Sequence, residues 1–177
     1  QSRFDRAPTS DVVLNEVIRE SLVITGGKTK RHVLLKELSD LPMLTCYRSH
    51  IGQVLTNLFA NAADALDECV TLERGQGKLF KGKISVRSYP EEREGVPGVA
   101  VSVSDNGKGV DEGLREQIFE AFFTTKPSGV GTGLGLSVCA TIVQDHNGII
   151  YVENDDELGG ARFVVWLPLK PTHEDDL

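Results

Sequence analysis

The run Ile51–Cys69, IGQVLTNLFANAADALDEC, constrains this chain more than any other stretch. At about 100° per residue, Ile51, Val54, Leu55, Leu58, Ala62, Ala65, Leu66 and Cys69 share one face, the stripe that a core-facing helix needs. A second stripe, Gln53, Asn57, Asn61, Asp64 and Glu68, adjoins it within roughly 80° of arc. Solvated helix faces usually mix Lys, Arg and Glu, whereas this one lacks a cation and is built largely of amides. Asn is a mediocre helix former, so two of them one turn apart cost a few tenths of a kcal/mol each. Two readings of the stripe stand at this point: an ordinary wet face, or the wall of a polar pocket with two amides aimed at a ligand or metal.

The remaining periodicities place a fold around that helix. Asp11–Thr25 carries Leu14, Val17, Ile18, Ser21 and Leu22 on one helical face, with Thr9 or Ser10 as its cap and Gly26-Gly27 as its end. His32–Leu38 reads as a short strand, Thr71–Lys83 as a polar connection, and Lys83–Tyr89 with Gly98–Ser104 as a hairpin across a charged turn at Glu91–Pro97. Asp111–Ile118 reads as a short helix and Glu120–Gly133 as a long loop. Leu134–His146 is helical and closed by Asn147-Gly148; Ile149–Glu153 and Ala161–Leu167 form a last hairpin around Asp155–Gly160. Helices and strands are grouped rather than alternating, which predicts an α+β fold: an α/β sandwich with a largely antiparallel sheet and helices on one face.

Three constellations carry chemistry. In Val99–Asp105 the valines at 99, 101 and 103 share a face with Asp105, so a core-facing valine row turns that carboxylate inward, where it needs partners. The Asn106-Gly107-Lys108-Gly109 segment then turns the chain, and two readings fit: an Asx-capped turn, or a carboxylate that accepts a hydrogen bond from an amino-bearing ring such as adenine. GVGTGLGL, residues 129–136, opens a helix with four glycines, too many on propensity grounds but suited to wrapping backbone N–H groups around a phosphate chain. In IFEAFFTTK, Phe119, Phe122 and Phe123 are either core or pins for a mobile lid, and Lys126 stands between them and the glycines as a point charge for a terminal phosphate. Gly27-Lys28-Thr29 ends like a P-loop, but Leu22 stands where the first glycine belongs and a helix precedes it instead of a strand.

Composition narrows the partners. A net charge of −7 argues against nucleic acid and anionic membrane surfaces as ligands, so a polyanion must be held by a metal, backbone N–H groups or a single Lys. Cys46, Cys69 and Cys139 lack C-x-x-C spacing, which fits a reduced compartment better than a disulfide framework or zinc site. No signal peptide and no membrane-length apolar run is present, so no membrane contact by this domain is expected.

In order, these stretches resemble the catalytic ATP-binding domain of two-component sensor histidine kinases, in the wider superfamily with gyrase, Hsp90 and the MutL mismatch-repair ATPases. QVLTNLFANAADAL looks like the N box, DNGKG like the G1 box, FEAFFTTK like the F box and GTGLGL like the G2 box, and the likeness runs over about residues 11–169. The short lid and Asp64 look most like the nitrogen-regulation branch. The resemblance implies a Bergerat-type sandwich that binds ATP and Mg²⁺. It implies Asn61 and Lys126 as catalytic residues, Asn61 and Asn57 at the metal (Asn57 as neighbour or water-mediated ligand), and Asp105 on the adenine amino group. The implied nucleotide set is Asn57, Asn61, Asp64, Asp105, Gly107, Gly109, Lys126, Thr132, Gly133, Leu134 and Gly135.

Two departures shape the expected function. The hydrolytic cousins carry a Glu general base where this chain has Asn57, and an amide takes no proton at neutral pH. None of His32, His50, His146 and His173 sits in the H-E/D-x-x-x-P setting of a phosphoacceptor. The expectation is therefore a domain that donates the γ-phosphoryl group to a histidine on a separate dimerisation domain, with a response regulator receiver domain downstream. The full-length protein is expected to be a homodimer and this part cytoplasmic, whether or not its sensor is membrane-anchored. Residues 1–10 are expected to be a linker from that acceptor domain and residues 170–177 an acidic tail.

Overall fold

The computed structural model describes residues 7–123 and 135–171. In chain order it has β1 (Thr9–Val12), α1 (Leu14–Ile24), a single turn α2 (Gly26–Thr29), β2 (Val33–Leu38), β3 (Leu44–Cys46), α3 (Arg48–Gly75), β4 (Lys83–Arg93) and β5 (Val96–Asp105). Two 3₁₀ turns follow, then α4 (Gly135–Asp145), β6 (Ile149–Asn154) and β7 (Ala161–Pro168). The main sheet runs β2-β4-β5-β7-β6, with β2 parallel to β4 and every other pair antiparallel. A small antiparallel pair, β1 with β3, lies apart from it.

Alternation along the strands decides which way the sheet faces. Ile84, Val86, Val101, Val103, Phe163 and Val165 project from one face and are buried, each worth roughly 1.5–3 kcal/mol. Against that face pack α3, burying Ile51, Val54, Leu55, Leu58, Phe59, Ala62, Ala63 and Leu66, then α1 through Leu14, Val17, Ile18 and Leu22, and α4 through Cys139, Ile142 and Val143. The expected sandwich with helices on one face is what the chain forms. The opposite face of β5 is also buried, at Ala100, Ser102 and Ser104, where Trp166 and Val164 of β7 are the cross-strand neighbours of Ala100 and Ser102.

Helix ends are fixed by long-range contacts. At the start of α3 no side chain caps the helix; instead the Tyr47 N–H donates to His146 Nε2 at 3.1 Å, while His146 Nδ1 bonds the Ile142 carbonyl at 2.8 Å. One buried imidazole therefore ties the C-terminal end of α4 to the N-terminal end of α3. Asn147, at φ 59°, closes α4 in the left-handed region, and Gly148 N–H returns to Val143 O at 2.9 Å.

Several local expectations need correcting. Thr9 and Ser10 are not a helix cap: they belong to β1, and α1 starts after Val13, whose carbonyl accepts the first helical bonds. Gly26-Gly27 does not stop the helical path but opens α2. Helix α3 runs on to Gly75 through residues assigned to a connection. The charged turn is mostly strand, since β4 reaches Arg93 and only Glu94 and Gly95, both at positive φ, make the reversal. The short helix at 111–118 is two 3₁₀ turns, Glu112–Leu114 and Gln117–Phe119.

Candidate functional site

The site is assembled where the end of β5 meets α3. The pleat that buries the valines carries Asp105 inward, leaving it 2% exposed. Its Oδ1 accepts from Gly107 N–H at 2.8 Å and from Ala161 N–H at 3.4 Å, and no described residue bonds Oδ2. Burial pushes the Asp105 carboxyl above its usual range, and the two N–H bonds offset only part of that. A buried acceptor with one oxygen pinned and one uncommitted is a preformed partner for a hydrogen-bond donor.

The turn after Asp105 lies against α3. A side chain on Gly107 would sit 3.0 Å from Asp105 Oδ1, 3.7 Å from Leu66 Cδ2 and 3.8 Å from Cys69 Sγ. A side chain there would be tight against the Asp105 carboxylate alone, and no left-handed φ calls for glycine. Gly109 does adopt φ 76°, with Asn154 Oδ1 close by and bonded to Val110 N–H at 3.2 Å. Asn106 accepts from Lys83 N–H at 2.7 Å and donates to Lys81 O at 2.9 Å, so the turn is also anchored to the start of β4.

Along α3 the polar stripe lies as its periodicity requires. Asn57, Asn61 and Asp64 are half-buried, and Glu68 is exposed. Asn57 Nδ2 donates to Gly135 O at 3.3 Å and the Cys139 thiol reaches Val54 O at 3.7 Å, which joins α3 to the first turns of α4. Asn61 makes no hydrogen bond to another described residue, and its amide oxygen is the kind of donor that suits a hard cation. No three His, Cys, Asp or Glu side chains among the described residues converge to hold a metal by themselves.

Two lysines flank the carboxylates of this stripe. Lys28 of α2 reaches Asp64 at 3.1 and 3.4 Å, and Lys108 reaches Glu68 at 3.6 Å. Sequence reasoning passed over Lys28 as part of a false P-loop; only the packing of α2 on α3 brings it to the stripe. The same segment supplies Arg31 and the buried His32, both on Asp67, at 3.4 and 2.8 Å.

Contacts join Asn57 to Gly135 and Asp105 to Gly107, and Gly107 lies against α3 at Leu66 and Cys69; Asn61 and Asp64 stand on the same α3 stripe as Asn57, and Gly109 lies beside Asn154. Lys126, Thr132, Gly133 and Leu134 lie outside the described residues, as does most of the glycine-rich run. Phe119 packs edge-on to Phe163 with ring centroids 6.1 Å apart and, like Phe123, lies partly buried against the core; Phe122, at φ 66°, is 74% exposed.

With this architecture, the chain belongs to the family of histidine kinase-, DNA gyrase B- and HSP90-like ATPases, whose model matches residues 46–171. Within it the chain is homologous to sensor histidine kinases, being 36% identical over 167 residues to sensor histidine kinase ZraS of Escherichia coli O157:H7. That match covers 93% of this chain but 32% of the relative, so the chain spans about a third of the relative's length. The nucleotide-free catalytic domain of histidine kinase ThkA superposes with a TM-score of 0.74 at 34% identity, covering 93% of this chain and 97% of that one. Histidine kinase ThkA in complex with response regulator protein TrrA matches with a TM-score of 0.69 at 32% identity, over 93% of this chain and 42% of that one. No helix among the described residues is long and apolar enough to cross a membrane.

Proposed function

We propose that this chain is the ATP-binding half of a sensor histidine kinase. The observation that carries the reading is Asp105: a buried carboxylate whose Oδ1 is held by two backbone N–H groups and whose Oδ2 is left for the adenine amino group. Gly107 and Gly109 let the backbone approach the base and sugar. Asn61, with Asn57 as neighbour or through water, would hold Mg²⁺, which would neutralise phosphate charge. Lys126 and the segment Thr132–Gly135 hold the phosphate chain, and Asp64 with Lys28 borders it.

The reaction is transfer, not hydrolysis. A histidine nitrogen on a separate dimerisation domain attacks the γ-phosphorus, the bond to the bridging oxygen breaks, ADP leaves with that electron pair, and the acceptor becomes phosphohistidine. A receiver domain of a response regulator then takes the phosphoryl group, the partnership that the ThkA–TrrA assembly exemplifies. At the place where the hydrolytic cousins carry a carboxylate, Asn57 donates to a carbonyl and offers no base to water. Positioning and charge neutralisation are what the pocket supplies. A reaction of this kind draws on cytoplasmic ATP, which supports a cytoplasmic location for the domain.

Calorimetric titration with ATP, with and without Mg²⁺, tests the reading. Saturable binding that tightens with Mg²⁺ is expected, and Asn61→Ala should remove the tightening. Absence of binding, or a Mg²⁺ effect untouched in Asn61→Ala, contradicts the assignment.

A further inference from the structure

The turn between β6 and β7 touches the site at points that its own hairpin does not require. Inside the turn, Asp155 N–H bonds Gly160 O at 2.7 Å and Gly159 N–H bonds Asp155 O at 2.8 Å. Asp155 Oδ1 accepts from Glu157 and Leu158 N–H at 3.0 and 2.7 Å. These bonds close the reversal, and Gly159, at φ 85° with open space around it, provides its left-handed residue.

Gly160 has a different reason to be glycine. Its φ lies outside the left-handed region, so backbone conformation alone admits any residue there. What it lacks is room. A methyl group on Gly160 would overlap both the carbonyl oxygen and Oδ1 of Asp105, and would lie 2.6 Å from Gly107 N. Two of the three are backbone atoms and the third is the carboxylate oxygen itself, so the displacement would fall on the short segment that carries Asp105 and on its carboxylate. The next residue, Ala161, donates its N–H to the same Oδ1 at 3.4 Å. One residue before the turn, Asn154 Oδ1 holds Val110 N–H at 3.2 Å, on the far side of the Gly107–Gly109 segment.

We infer that the β6–β7 turn sets base specificity, with Gly160 as a positioning residue that keeps Asp105 Oδ1 against Gly107 and Ala161 so that Oδ2 alone meets the base. This deepens the proposed function and rests on Asp105 reading the adenine amino group. A carboxylate pinned through one oxygen presents the other in a single direction, and a hydrogen bond aimed that way weakens steeply once its donor is misaligned. The turn therefore affects recognition of the exocyclic amino group while leaving the phosphate and metal contacts on α3 and α4 alone.

The test compares dissociation constants of ATP and of the triphosphate whose purine lacks the amino group, for the parent chain, Gly160→Ala and Gly159→Ala. The parent should prefer ATP by about tenfold or more, the scale of one hydrogen bond to a charged group. Gly160→Ala should lose most of that preference through weaker ATP binding, with the analogue's affinity changed less than about twofold. Gly159→Ala, strained in the turn but remote from the carboxylate, should keep the preference while losing thermal stability. If the parent shows no preference, the reading of Asp105 itself is wrong. If the parent discriminates and Gly160→Ala keeps the same ratio, or loses both ligands equally, the inference is overturned. Should Gly160→Ala not fold, the ratio is read in Asn154→Ala, which frees the same segment from the turn; an unchanged ratio there overturns it equally.

Discussion

Asp105→Asn separates stability from binding in a way that few substitutions do. The change is isosteric, and an amide oxygen can still accept from Gly107 and Ala161 N–H. Two things change: the buried negative charge disappears, and an N–H₂ group replaces the oxygen that no described residue bonds. Burial outweighs the two N–H bonds and holds the native carboxyl above its ordinary value of 3.8. The folded state therefore holds that proton to higher pH than the unfolded chain does, and the residue's contribution to stability falls as pH rises through the window beginning at that ordinary value. The Asn variant has no such loss, so unliganded Asp105→Asn should melt above the parent at neutral pH, with the gap shrinking as pH falls through the same window. ATP binding should move the other way. Loss of a hydrogen bond to a charged acceptor costs on the order of 2 kcal/mol, which is about 30-fold in dissociation constant. Thermal melts against pH with calorimetric ATP titrations give both readouts. A variant less stable than the parent at neutral pH, with ATP affinity within about twofold, would refute the argument at both points.

Lys28→Ala removes a half-exposed ion pair and should cost under about 1 kcal/mol of stability. It should nevertheless weaken Mg-ATP binding several-fold at low salt, because a cation bordering the proposed phosphate site is lost, and the difference should close at high salt; equal affinities at low salt would contradict this. His146→Ala deletes the link between α4 and α3 and strands the Tyr47 N–H, which should cost about 2–3 kcal/mol in urea unfolding. Burial pushes the Cys139 thiol up to about 11, so at neutral pH Cys139 and the buried Cys46 should resist alkylation until the chain unfolds. Cys69, half-buried against Gly107, should label first and more slowly with Mg-ATP present, a protection absent if nucleotide binds elsewhere.

Much of this was legible in the residues, and the exceptions share a cause. Periodicity identified α1's buried face residue for residue and placed Asp105 inside, because both follow from local geometry once a core side exists. It understated α3, missing Phe59 and Ala63, because this helix is wrapped by α1, α4 and the sheet and buries an arc wider than one stripe. Its extension to Gly75 passes through polar residues beyond the core, where periodicity carries no signal. The β1–β3 pair is four and three residues long with one strand mostly exposed, too short to show alternation. Lys28 beside Asp64 and Gly160 beside Asp105 are contacts between segments 36 and 55 residues apart. Neither residue has a local motif to announce it: one looked like a broken P-loop and the other like half of a Gly-Gly turn.

The central claim, that this domain transfers rather than hydrolyses, is tested most directly by following the γ-phosphate of radiolabelled Mg-ATP with the chain alone and with a histidine-bearing hairpin domain, the proposed acceptor, added. The chain alone should bind nucleotide, turn it over very slowly and take up no label. With the hairpin domain present, acid-labile label should appear on that domain, and Asn61→Ala should abolish it. Brisk, Asn61-dependent release of inorganic phosphate by the chain alone would contradict the account and make this domain an ATPase.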